Sequence, residues 1–117
     1  MAKGDRLGEF EQLALLSVLR LGAQAHGAAI QAELEQTAGR DASISAIYIT
    51  LTRLEGKGMV ASWLGEPDEV RGGKARRFFR VEPAGALALS RSRGQLLKMW
   101  DGLEAQMESL EGGSGAS

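Results

Sequence analysis

The chain contains no cysteine, and only one histidine, His26, among its 117 residues. Without thiols there is no disulfide and no thiolate metal site, a composition that fits a reducing cytoplasm. One imidazole is too little for a zinc centre, and no carboxylate is placed by sequence to build a histidine-based triad around it. No run of about 18 apolar residues occurs, so no segment reads as a membrane-spanning helix. Met1-Ala2-Lys3-Gly4-Asp5 leads into an acidic amphipathic stretch rather than the apolar core of a signal peptide. Phosphate-binding loops, nucleophile–base pairs and internal repeats are also missing, which weighs against an enzyme. The expectation is a cytoplasmic non-enzyme without metal or cofactor.

What the sequence does have is segregated charge. The formal net charge is only −1. Yet residues 71–98 hold Arg71, Lys74, Arg76, Arg77, Arg80, Arg91, Arg93 and Lys98 against the single acid Glu82. Residues 99–117 hold Asp101, Glu104, Glu108 and Glu111 and no basic residue. A basic block of this kind can meet phosphates, while the acidic end faces elsewhere.

Hydrophobic periodicity supplies the elements. From Glu9 to Leu21, Phe10, Leu13, Leu16 or Ser17, and Arg20 or Leu21 recur at helical spacing. Leu15, Val18 and Leu19 broaden the face, so this reads as a largely buried helix ending at Gly22. A second helix runs from about Gly27 to Ala38, with Ile30 and Leu34 in the core and Gly39 closing it. Ser43 is a good N-cap for a third helix reaching to about Lys57, with Ile44, Ile47, Leu51 and Leu54 as its buried stripe and Gly58 as terminator. Then the period changes. Met59 to Gly65 and Ala75 to Glu82 are β-prone, joined by a charged loop over residues 66–73. Pro83 suits the first turn of a long final helix. Three helices, a hairpin and a helix make a mainly α (α+β) chain with the order of a winged helix-turn-helix. Residues 8–82 form the DNA-binding domain, 83–111 a long C-terminal dimerisation helix, and 112–117 a disordered tail.

Opposite the buried stripe of the third helix lie Ser45, Ile49 and Gly56, flanked by Ala46, Thr52 and Arg53. Small and hydrogen-bonding side chains let a helix approach base edges in a major groove about 12 Å wide. Arg53 can reach a guanine or a phosphate, and Ile49 can touch a thymine methyl. Tyr48, at the side, can pack its ring inward and extend its hydroxyl to a phosphate. With Ser43 these are the candidate DNA-reading residues. This face carries little charge, so phosphate contacts are expected from the hairpin, at Arg71, Gly72, Gly73, Lys74, Arg76 and Arg77. Stacking of single strands on Phe78 and Phe79 is the alternative, but neighbouring strand residues point to opposite faces, which commits one ring to the core.

The last helix carries a heptad-like seam: Ala86, Leu89, Arg93, Leu96, Trp100, Leu103, Met107 and Leu110. It is longer than a small domain can cover, which points to the same helix of a second copy and a twofold homodimer. Folding back onto its own domain is the competing reading. Arg93 in the seam can pair with Glu104 or Glu108 of the other chain or extend to solvent.

Leu13-Ala14-Leu15-Leu16, Ala25-His26-Gly27-Ala28-Ala29-Ile30, the stretch from Ser43 to Glu55, Gly72-Gly73-Lys74-Ala75-Arg76-Arg77-Phe78-Phe79-Arg80-Val81 and Pro83-Ala84-Gly85 together resemble the PadR family of transcriptional regulators. The resemblance covers about residues 8–100. Ser45 and Ile49 stand where the family often has Gly and Pro, and Phe78-Phe79 replaces its usual Tyr pair. The resemblance implies a dimeric cytoplasmic repressor of nearby genes that binds double-stranded DNA and is released by a small-molecule effector. It also implies a site for planar aromatic compounds between subunits, for which Trp100 is the candidate, against its simpler role as a packed interface residue. A winged-helix module for protein partners, using the small face of the third helix and the acidic C-terminal end, is the other functional reading.

Overall fold

The computed structural model describes residues 6–68, 70 and 72–116. Helix α1 spans Glu9–Leu21, α2 Gly27–Ala38 and α3 Ile44–Gly56. Strands β1 (Val60–Asp68) and β2 (Lys74–Val81) form an antiparallel hairpin, followed by α4 (Pro83–Trp100) and α5 (Glu104–Ala116). This is a winged helix-turn-helix with a C-terminal helical extension.

The helix boundaries follow local chemistry. Glu11 accepts a hydrogen bond from the Gly8 amide at 2.8 Å, and Glu9 and Glu11 place negative charge at the start of α1. Gly39 ends α2 in the left-handed conformation with φ 63°, as its sequence position predicts. Ser43 caps α3, its hydroxyl accepting from the Ala46 amide at 3.0 Å. The expected core of α2, Ile30 and Leu34, is buried, as are Ile47, Leu51 and Leu54 of α3. Ile44 is not. It lies at the exposed start of α3, and the stripe is completed instead by Thr50.

Two expectations change. The ladder runs further than the sequence pattern indicates, pairing Asp68 with Lys74 beyond a bulge where Gly65 and Glu66 oppose Arg76. Gly65 suits that bulge because a Cβ there would come within 2.6 Å of the Phe78 ring. The long C-terminal helix is also interrupted at residues 101–103, where Gly102 takes φ 82°. Asp-Gly is a turn signal that the heptad spacing of the apolar residues obscures. Beyond it α5 continues through Ala116, past the expected helix end at residue 111.

The core gathers Ala14, Leu15 and Val18 of α1, Ile30 and Leu34 of α2, the α3 stripe, Met59, Val60 and Phe79. Of the two strand phenylalanines, Phe79 is fully buried and Phe78 stacks on Trp63 with centroids 6.0 Å apart. The single-strand stacking alternative therefore loses one ring to the core and the other to Trp63.

Candidate nucleic-acid interface

Ser45, Ile49, Thr52 and Gly56 form an exposed strip along α3, with Ala46 half-buried beside it. Ile49 is 64% exposed, a large apolar side chain presented outward from a helix whose other face is core. Ser43 stands at the N-terminal end with its hydroxyl engaged in capping.

Tyr48 faces the protein. Its ring packs on Phe79 with centroids 5.8 Å apart, and its hydroxyl lies over the first residue of α2, where a Cβ on Gly27 would come within 2.9 Å of it. Glycine at this position is a matter of close approach. His26 opens α2 as its N-cap, with Nδ1 3.4 Å from the Ala29 amide and Nε2 2.7 Å from Arg76 Nη1. His26 thus has a helix-entry role, with both ring nitrogens within reach of a partner. Among the described residues, no group of three or more histidine or acidic side chains is placed to hold a metal ion.

The basic hairpin divides into inward and outward parts. Arg76 turns to His26. Arg77 donates to Glu55 at 2.8 Å and to the Ser62 hydroxyl at 3.0 Å, and its guanidinium lies over the Phe79 ring. Ser62 in turn donates to both oxygens of Glu55. Arg80 pairs with Glu82 and lies over Trp63. Lys74, Gly72 and Gly73 are exposed at the tip, both glycines with positive φ; Arg71 lies outside the described residues. Leu64 and Val70 add exposed apolar groups, Val70 at 95%. The sequence counts Arg76 and Arg77 as phosphate contacts because a β-rich basic segment shows its charge but not its acceptors. Glu55 and Ser62 are far enough away in the chain for their pairing to be invisible there.

Arg53 projects from the same side of α3 as Ile49 and forms an ion pair with Glu11 of α1 at 3.4 Å. Glu11 was not recognisable as part of this face, being separated from Arg53 by most of the domain's sequence.

A second surface lies between α1 and α4. Gln12, Leu16 and Leu19 on one side and Ala86, Leu89, Ser90, Arg93, Leu96, Leu97 and Trp100 on the other line an open groove of about 560 Å³. Leu89 also packs against the core of its own domain. Trp100, Leu96, Leu103 and Leu110 are exposed in the single chain, whereas Met107 is half-buried. Leu16 (43% exposed) and Leu19 (53%) show that α1 is not largely buried, contrary to its all-round hydrophobicity. A helix apolar on every side carries two faces to cover, and α1 uses only one on its own domain. No helix among the described residues is long and apolar enough to cross a membrane.

The sequence profile of the Transcriptional regulator PadR-like family matches residues 15–91. A curated relative, Transcriptional regulator Rv3488 of Mycobacterium tuberculosis, is 37% identical over 91 residues, covering 75% of this chain and 80% of the relative. Among solved structures, a PadR family transcriptional regulator from Eggerthella lenta superposes with a TM-score of 0.64 at 25% identity, covering 86% of this chain and 87% of that one. A PadR family transcription regulator from Clostridium difficile shares the fold at 17% identity and a TM-score of 0.57, over 81% of this chain and 97% of the other. These relatives are regulators of transcription and not enzymes. With its three-helix domain, its wing and the matched segment running from α1 into α4, the chain belongs to the PadR-like family of transcriptional regulators.

Proposed function

We propose that the protein is a sequence-specific repressor acting as a homodimer on a pseudo-palindromic operator, with residues 8–82 reading DNA and residues 83–111 joining the subunits. The observation that carries the reading is the exposed strip of α3, where Ile49 stands outward among Ser45, Thr52 and Arg53 in a family of DNA-binding regulators. Small side chains admit the helix to the major groove, Ile49 suits a thymine methyl and Arg53 a guanine. Because Arg76 and Arg77 are engaged within the protein, phosphate contacts are assigned to the hairpin tip around Lys74.

The groove between α1 and α4 supports the dimer. Apolar side chains as large as Trp100 and Leu96 stabilise an interface by about 1.5–3 kcal/mol each when fully buried. A twofold assembly places two α3 helices on half-sites roughly one turn of duplex apart. The same groove, with Trp100 at its edge, suits a planar apolar effector whose binding changes the spacing of the two helices.

Binding of the full chain to its own upstream region and to random duplex, each titrated across a salt series, tests the proposal. A preference for the upstream region, with affinity falling steeply as salt rises, is the expected result. Equal affinity for both duplexes at micromolar protein overturns it.

A further inference from the structure

Glu11 divides its carboxylate between two tasks. One oxygen accepts the Gly8 amide at 2.8 Å, and the other lies 3.4 Å from Nε of Arg53. The Glu11 side chain is only 13% exposed. It is therefore a fixed acceptor, not a surface carboxylate that follows a mobile partner. The Arg53 side chain is half exposed and makes no other hydrogen bond or ion pair among the described residues. Its Nε edge is directed to α1, and its two terminal nitrogens make no hydrogen bond within the described residues, so they are available as the other end of the fork.

We propose that Glu11 is a specificity-positioning residue for DNA recognition, holding Arg53 so that its terminal N–H pair is presented end-on to a base edge. The inference rests on the DNA-reading role given to α3 above. An unrestrained arginine on an exposed helix has many rotamers to lose and readily swings to the nearest phosphate. Anchoring Nε to an immobile carboxylate removes part of that freedom beforehand. It also offsets the guanidinium charge, which weakens sequence-independent attraction to phosphate more than bidentate hydrogen bonding to guanine. The side-on mode, which uses Nε together with one terminal nitrogen, is blocked by Glu11. The end-on mode is left open. A residue outside the recognition helix thereby shifts the balance from general affinity towards base discrimination.

Glu11→Gln is the informative variant, because glutamine retains an oxygen for the Gly8 amide while removing the charge that holds Arg53. Duplexes enriched by the full-length wild type from a random library serve as the specific probe, with unselected duplex as the control. The expected result is that E11Q loses about tenfold of its preference for the enriched duplex, centred on one guanine position. Its binding to unselected duplex becomes tighter, with a salt slope steeper by about one. In an Arg53→Ala background the same substitution should leave the preference unchanged. An E11Q protein that keeps the wild-type preference overturns the proposal, as does one whose two affinities fall together with its melting temperature, since Glu11 would then only cap α1. A further loss of preference in the Arg53→Ala background overturns it as well. If the wild type enriches no duplex at all, the repressor reading falls and this inference with it. A wild-type motif that E11Q shares removes only the role of Glu11.

Discussion

Glu55, one residue before the end of α3, accepts a 2.8 Å hydrogen bond from Arg77 in the middle of β2, and Ser62 of β1 bonds to both. Two residues earlier on the same helix, Arg53 pairs with Glu11 of α1. The last turns of α3 are thus fastened by opposite charges to opposite neighbours, the negative one to the wing and the positive one to α1. The first of these fastenings ties the end of α3 directly to both strands of the wing.

Arg77→Met is expected to destabilise the domain by about 1–2 kcal/mol, a value kept low because both partners are about one-third exposed. Arg77→Lys should recover little, since an ammonium cannot serve Glu55 and Ser62 with the same planar fork. A double-mutant cycle of Arg77→Met with Glu55→Gln in urea denaturation measures the coupling, expected near 1 kcal/mol. Additive effects would place the two side chains in independent roles.

Phe79→Ala removes a ring with no solvent exposure and should cost about 3–5 kcal/mol, enough to unfold much of the population of a small domain. Phe78→Ala should cost clearly less, because that ring is half-buried and stacks on the exposed Trp63. Circular dichroism melting curves of the two variants provide the comparison.

Gly85→Ala tests the junction of wing and α4. A Cβ there would lie 2.4 Å from the Met59 carbonyl oxygen, which also accepts the Glu82 amide at 2.8 Å and cannot retreat freely. A loss of about 1–3 kcal/mol is expected. Gly27→Ala meets the end of the Tyr48 side chain instead, which can tilt, so its melting temperature should fall less.

Leu16→Glu on α1 and Trp100→Ala on α4 should each shift a dimer towards monomer at tens of micromolar, as read by light scattering on a sizing column. Leu16 and Trp100 line the same groove. If Leu16→Glu leaves the oligomer intact while Trp100→Ala dissociates it, α1 lies outside the interface.

The Glu33 carboxyl is held below the ordinary value of 4.5, first by the Thr37 hydroxyl and then by the Arg20 guanidinium. A depressed carboxyl contributes stability above its unfolded value and loses it as pH falls through the folded value. The stability difference between wild type and Glu33→Gln should therefore be constant near neutrality and shrink below about pH 4.5. A difference that persists at the acid end would assign the effect of the substitution to something other than ionisation.

Local order was legible in the residues themselves. Caps at Ser43 and Gly39 and the stripe of Ile47, Leu51 and Leu54 depend on neighbours within a turn or two, so spacing alone places them. Family membership was also legible, since it rests on the order of such segments. What the tertiary structure decided was how charge and apolar surface are used. Spacing cannot reveal that Arg76 meets His26, that Arg77 meets Glu55, or that Glu11 sits beside Arg53, because each pair joins elements brought together only by packing of the core. Nor can it divide α1 into a face for its own domain and a face turned to the groove, because apolar side chains stand on both, Leu15 and Val18 on one and Leu16 and Leu19 on the other, and only what lies opposite tells them apart.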